Sequence, residues 1–290
     1  MKSLHAFAPA KINLYLHVTG RREDGYHLLD SLVAFTNIGD SLRLEAAADF
    51  SFALEGPMAA TLAAESLDTN LAVRAVRMMA EEMGRPLNIK LTLVKNVPIA
   101  SGIGGGSSDA AAALRLLAEH WGVPPTDSLL ARIAASLGQD VSCCLDAATC
   151  YFCGIGDITE PGPDLPHTDI VLVNPNKALP TPDVYRARQG AFAVPARFDR
   201  EPQSAAELAG MLHERSNGLT DAACRLMPEI RVVLAELAAT VGCQLARMSG
   251  SGATCFGLYP DRSAARQAAA RLFQDHPDWW VVPGFVPNKR

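Results

Sequence analysis

The segment Pro98-Ile99-Ala100-Ser101-Gly102-Ile103-Gly104-Gly105-Gly106-Ser107-Ser108-Asp109 sets four glycines within five residues, directly before an alanine-rich stretch. Glycine has no Cβ and accepts positive φ, so consecutive backbone N–H groups can turn towards one anion. A helix starting there would add the partial positive charge of its N-terminus. A nucleoside triphosphate suits such a cradle, with the hydroxyls of Ser107 and Ser108 as further donors. No Lys follows the last glycine, which excludes a Walker A loop, and Ser107 breaks the G-x-G-x-x-G spacing of a dinucleotide loop. The competing reading is a flexible turn, but four glycines are entropically costly unless a backbone must approach something closely. A second cluster, Met248-Ser249-Gly250-Ser251-Gly252-Ala253-Thr254, reads alone as a hairpin turn. Beside the first, it is a candidate second wall for phosphate or substrate. On pattern alone Lys11 is a solvated strand charge and Asp140 a cap between a helix and a strand. Cys150 and Cys153 have CxxC spacing but no second pair and no nearby His, so they read as two strand cysteines, reduced like the other five.

These residues need elements to position them. Extended segments are expected at 10–18, 28–35 and 41–45, with a polar connection at 20–27. Residues 70–83 show helical periodicity closed by Gly84. Residues 87–97 alternate as a half-buried strand leading into the glycine loop. A helix over 109–120 should follow, N-capped by Ser107, Ser108 or Asp109, then a helix over 127–137 and a strand over 141–152. The Pro- and Gly-rich stretch 161–166 marks the boundary between an ATP-binding domain at 1–165 and a second domain at 166–290. The latter should hold strands at 169–173, 243–248, 253–259 and 279–282 and helices at 205–214, 221–239 and 263–275. The pattern is α+β.

The chain has 290 residues, 49% of them hydrophobic and 20% charged, which excludes a disordered protein. A net charge of −5 argues against a nucleic acid partner, whose readers concentrate Lys and Arg. No apolar run is long enough for a membrane span, and Lys11 interrupts the N-terminal apolar stretch before it could form a signal-peptide core. A cytoplasmic protein with no membrane partner is the expectation.

Three segments, in this order, resemble the GHMP small-molecule kinases: Pro9-Ala10-Lys11-Ile12-Asn13-Leu14, the loop at 98–109, and Ser249-Gly250-Ser251-Gly252-Ala253. Gly25-Tyr26-His27, Gly138-Gln139-Asp140-Val141 and Pro180-Thr181-Pro182 make the chain similar to one branch in particular. That branch phosphorylates the tertiary 2-hydroxyl of 4-diphosphocytidyl-2-C-methyl-D-erythritol in non-mevalonate isoprenoid biosynthesis. The resemblance implies a two-domain GHMP kinase fold, with an N-terminal domain of the ribosomal-S5 second-domain type and a ferredoxin-like C-terminal domain. It places the active site between them and brings ATP, as phosphoryl donor, and Mg²⁺ as cofactors.

By the same resemblance Asp140 is the base for the hydroxyl, and Lys11 lies beside it and offsets charge developing on the phosphoryl group. Asn13, Tyr26, His27, Thr181 and Tyr185 line the substrate pocket, with His27 reading the cytosine edge and Tyr185 stacking on the ring. Asn70 and Lys95 are adenine or ribose contacts beside the loop from Pro98 to Ser108. Each has an ordinary alternative: Asn70 a helix end, Lys95 a solvated charge, Tyr26 and His27 a polar turn, Tyr185 helix packing, Thr181 a helix start. Ser142 stands where the family has proline and Asp157 where it has glutamate, which affects only the path after Asp140. The expected partner is a small molecule, and the chain a monomer or homodimer. Alternative readings are another GHMP kinase, of the homoserine or mevalonate type, and a non-catalytic nucleotide- or RNA-binding module.

Overall fold

Two long paired strands, β1 (Leu4–Arg21) and β2 (His27–Ala46), open the chain. The computed structural model describes residues 3–62 and 66–288. The polar interval 36–40, expected to separate two strands, is part of β2, because its polar groups are satisfied inside the protein. Thr36 bonds the backbone of Ile38, and Asp40 is fully buried and accepts from Asn96 and Val97 N–H. The chain divides into two compact units, each built from separate pieces of sequence. One comprises Met1–Ala10, Gly39–Ile99 and Gly104–Ala147, the other Lys11–Ile38, Ala100–Ile103 and Ala148–Arg290.

In the first unit, β3 (Ser51–Glu55) runs parallel to β4 (Ile89–Val94), and β4 pairs antiparallel with the end of β2, Ser41 opposite Val94 and Ala46 opposite Ile89. After the short α1 (Ala59–Leu62) come α2 (Leu71–Met83), α3 (Gly105–Trp121), α4 (Ser128–Leu137) and α5 (Gln139–Asp146). The ends of α2 follow the expected chemistry: Asn70 caps the N–H groups of Ala72 and Val73, and Gly84 closes the helix with φ 58°. Ala110 to Ala113 of α3 are fully buried, small enough to let α2 and α5 pack closely. Arg115 donates to the carbonyls of Cys144 and Leu145, joining α3 to the end of α5.

Residues 139–146 correct the strand expected from 141. Val141 and Cys144 are fully buried at helical spacing against α3, so packing overrides the β-propensity of the segment. Only β5 (Cys150–Gly154) is extended, and it holds the CxxC cysteines, neither of them in a disulfide. A second correction concerns α3, which begins at Gly105 after Gly104 at φ 63°, four residues earlier than expected. Ser107, Ser108 and Asp109 therefore lie inside the helix and none caps it.

In the second unit, β5 pairs with β2 (Leu29 opposite Gly154) and with β6 (Ile158–Pro161). The other sheet contains β7 (Thr168–Asn174), β8 (Leu245–Met248), β9 (Cys255–Tyr259) and β10 (Trp280–Val286), in the order β10-β7-β9-β8, all antiparallel. Between β7 and β8 come α6 (Thr181–Ala187), α7 (Ala205–His213), α8 (Thr220–Leu226) and α9 (Glu229–Ala238), and α10 (Arg262–Asp275) joins β9 to β10. This is the β-α-β-β-α-β arrangement of a ferredoxin-like fold. The single helix expected over 221–239 is broken at Met227-Pro228, since proline lacks the N–H that would continue it. Val171, Val173, Val184, Leu237, Tyr259 and Leu272 lie in its core. Among the described residues no helix is long and apolar enough to cross a membrane.

Candidate active site

The glycine loop contributes to both units, and its glycines do different work in each. In the second unit, Ala100 to Ile103 is laid against the β8–β9 turn. Thr254 N–H donates to the Ser101 carbonyl (3.1 Å), Ser249 Oγ to the Gly102 carbonyl (3.0 Å), and Lys11 N–H to the Ile103 carbonyl (2.9 Å). A Cβ on Gly102 would lie 2.6 Å from the Ser249 carbonyl oxygen, and one on Gly250 would lie 2.7 Å from that of Gly102. Backbone meets backbone here, which only glycine permits. The second glycine cluster is both the hairpin turn read from its sequence and the wall on which the loop tip rests.

In the first unit, Gly104 in the left-handed region starts α3, and no side chain caps the helix. The N–H groups of its first turn are therefore left for another acceptor, with the helix dipole behind them. Lys95, expected at the nucleotide as a direct contact, is 1% exposed. Its Nζ is held by Asp40 Oδ2 at 2.6 Å and Asp109 Oδ2 at 2.8 Å, and its backbone bonds Glu55 and Met58, so this side chain has no face for adenine or ribose. Burial works against the Lys95 charge, but Asp109 and Asp40 together outweigh it and raise the pKa, keeping the ammonium charged. Burial is the main cause that pushes the Asp109 carboxyl up to about 7; Lys95 opposes it and Asp40 adds to it. Asp109 Oδ1 and Ser108 Oγ are buried and have no partner. Asn70 Oδ1 is taken by its helix cap.

The second unit gathers most of the substrate-pocket candidates into pairs. The rings of His27 and Tyr185 lie 5.3 Å apart, tilted by 32°. Burial, with the Arg21 and Arg188 charges, lowers the His27 pKa and favours a neutral imidazole. Thr181 and Ser251 share a hydroxyl hydrogen bond of 2.7 Å, joining the start of α6 to the glycine turn. Asn13 donates from its amide to Ser31 Oγ (2.8 Å) and from its backbone to Ser249 Oγ (3.1 Å), while its Oδ1 is buried without a partner. Lys11 is 5% exposed, with its ammonium 5.5 Å from the Phe152 ring centroid. Tyr26 stands apart, largely exposed in the β1–β2 turn. Asp140, in the other unit, sits in the first turn of α5. Sequence reasoning missed Asp40, Asp109 and Ser31. Only Asp109 carried a signal, its place at the end of the loop.

Comparison with known proteins matches this architecture throughout. The family described as "GHMP kinases N terminal domain" matches residues 70–154, and "GHMP kinases C terminal" matches 197–278. A protein of Paramagnetospirillum magneticum named 4-diphosphocytidyl-2-C-methyl-D-erythritol kinase is 47% identical over 283 residues, covering 98% of each chain. One of the same name from Rhodospirillum rubrum is 48% identical, covering 94% of this chain and 90% of its own. The crystal structure of a 4-(cytidine 5'-diphospho)-2C-methyl-D-erythritol kinase superposes with TM-score 0.81 at 33% identity, covering 98% of this chain and 100% of that one. A homoserine kinase from Cytophaga hutchinsonii shares the fold (TM-score 0.70, 16% identity, 99% and 95% covered). With both family regions present and full-length relatives at this identity, the chain belongs to the GHMP kinase family.

Proposed function

We propose that this chain transfers the γ-phosphoryl group of ATP to the 2-hydroxyl of 4-diphosphocytidyl-2-C-methyl-D-erythritol, a step of non-mevalonate isoprenoid biosynthesis. The observation that carries the proposal is the His27–Tyr185 ring pair, suited to a planar base, in a chain whose full-length relatives are named for that kinase. We place the reaction in the cytoplasm and assign it to a monomer or homodimer, with 1–165 binding ATP and 166–290 forming the second domain as divisions of the sequence, although Lys11–Ile38, Ala100–Ile103 and the residues from Ala148 on share one compact unit with 166–290. The two family regions fall on either side of that boundary.

A neutral His27 offers one donor and one acceptor, as the edge of cytosine requires, and Tyr185 stacks on the base. The unpartnered Asn13 Oδ1 is an acceptor for a substrate hydroxyl. The first-turn N–H groups of α3 hold ATP phosphates, and Asn70 and the loop from Pro98 to Ser108 complete the nucleotide side. Mg²⁺ neutralises phosphate charge when bound. Among the described residues no group of three His, Cys, Asp or Glu could hold a metal ion. Asp140 orients the tertiary hydroxyl and accepts its proton as the new P–O bond forms and the bond to the β–γ bridging oxygen breaks, releasing ADP. In a loose transition state orientation outweighs deprotonation. Lys11 offsets the charge on the transferring group.

The test assays the purified protein with ATP and, separately, the cytidine compound, homoserine and mevalonate. Turnover of the first alone supports the reading, and inactivity towards it sinks the substrate assignment. The Asp140→Ala variant should lose about 10²- to 10⁴-fold in kcat with ATP affinity nearly unchanged. Near-normal kcat would refute the role given to Asp140.

A further inference from the structure

Asp40, Lys95 and Asp109 have no place in the reaction above, yet all three side chains are nearly inaccessible to solvent: 0%, 2% and 4% exposed. Burying three charges is a poor way to stabilise a core, since desolvation consumes much of the attraction. Their connections suggest another purpose. Asp40 holds Lys95 with Oδ2 and, with Oδ1, the N–H groups of Asn96 and Val97, the residues that lead into the glycine loop. Asp109 holds the same ammonium from the first turns of α3, where the loop ends. The ammonium lies directly beneath the helix start, because a Cβ added to Gly105 would be 3.1 Å from Nζ and 3.0 Å from Val97 Cγ2. The entry and the exit of the loop are thus tied to one cation. The unpartnered Ser108 Oγ and Asp109 Oδ1 lie at the same turn.

We propose that Asp40, Lys95 and Asp109 form a positioning triad for the nucleotide. It fixes the separation of residues 95–97 and 105–109, so that the N–H groups of the first turn of α3 converge on a phosphate. Lys95 thereby acts on ATP through the backbone it holds and does not touch it. The inference rests on the reading that ATP phosphates bind at this loop.

The decisive variant is the double substitution Lys95→Met with Asp109→Asn. At pH 8, where the Asp109 carboxyl is ionised, it removes one charge of each sign, so the cluster keeps a net charge of one negative and a change in ATP binding reflects geometry rather than field. A second double variant, Asp40→Asn with Lys95→Met, removes the other carboxylate with the ammonium and serves if the first fails to fold. Equilibrium binding of ATP and, separately, of the cytidine compound is measured well below each variant's Tm. The expected result is an ATP Kd raised about 10-fold or more, because small misplacements of a binding frame are costly, with affinity for the cytidine compound unchanged. A lowered Tm with an unchanged ATP Kd would make the cluster an ordinary core ion group and overturn the proposal. Failure of the unmodified protein to bind ATP would instead sink the kinase reading, on which the triad's purpose depends.

Discussion

Replacing Gly102 with alanine tests whether the glycine loop is built for backbone contact with the β8–β9 turn. The added Cβ would lie 2.6 Å from the Ser249 carbonyl oxygen, 2.7 Å from that of Gly252 and 2.9 Å from Gly252 N. Ordinary contact begins near 3.4 Å, so the backbones must part by up to roughly 0.8 Å at their nearest point, and a carbonyl cannot swing aside as a side chain would. Overpacking of this kind costs about 1–3 kcal/mol. The positive φ of 75° adds about 1 kcal/mol for any residue with a Cβ, for a sum of about 2–4 kcal/mol. Gly190→Ala is the control within the same unit: φ is positive there too, at 91°, but nothing lies within 4 Å, so only the conformational cost of about 1 kcal/mol applies. Urea unfolding of both variants reads the difference as a shift in midpoint at constant slope. If Gly102→Ala loses no more than Gly190→Ala, the loop tip does not rest on the turn as described, and the double role given to these glycines fails.

A raised carboxyl pKa means that the folded state holds a proton the unfolded chain has released, so the stability contribution of Asp109 is present below pH 4 and lost as pH rises towards 7. The stability of the wild type relative to Asp109→Asn should therefore fall between pH 4 and 8, by at most roughly 4 kcal/mol at about 1.4 kcal/mol per pH unit. Denaturation at several pH values checks it, and a flat or rising difference would reverse the assignment. Tyr185→Ala should raise KM for the cytidine compound by about 10-fold through lost stacking, with KM for ATP unaffected, as steady-state kinetics would show. Asp127→Ala, which removes the acceptor for Leu129 N–H at the start of α4, should lower stability by about 1 kcal/mol in urea titrations.

Where pattern and local chemistry agreed, the elements were readable before any coordinates. In α2 the apolar spacing, the Asn70 cap and Gly84 all point one way, and in the second unit the alternation of strands and helices agrees with the ferredoxin-like order that only the family resemblance implied. The segment after Gly138 was misread because Val141, Cys143 and Cys144 look like strand residues when their helical partners on α3 are out of view. Contacts distant in sequence were wholly illegible. Asp40 lies 55 residues from Lys95, and Ser249 lies 147 residues from Gly102, so no local pattern could mark Lys95 as buried or give Gly102 a backbone partner. The four glycines looked alike because the residue permits several conformations and close approaches. Only the fold separates Gly102, which admits a neighbouring backbone, from Gly104, which turns the chain into a helix.

Asp109 then separates stability from function in one side chain. Above pH 7 its ionised carboxylate is a net cost to folding, since burial and Asp40 together outweigh the attraction of Lys95. An amide there would retain an oxygen for the Lys95 hydrogen bond without that cost, so the alkaline stability of Asp109→Asn should exceed that of the wild type. The carboxylate nevertheless gives the ammonium a second charged anchor on α3, matching the one Asp40 supplies from β2. If the triad serves the nucleotide, the charge-matched double variant should bind ATP more weakly at pH 8, even though loss of the buried carboxylate makes Asp109→Asn itself more stable there. A gain in stability accompanied by equal or better ATP binding in the charge-matched variant would mean that the second anchor does nothing for the loop.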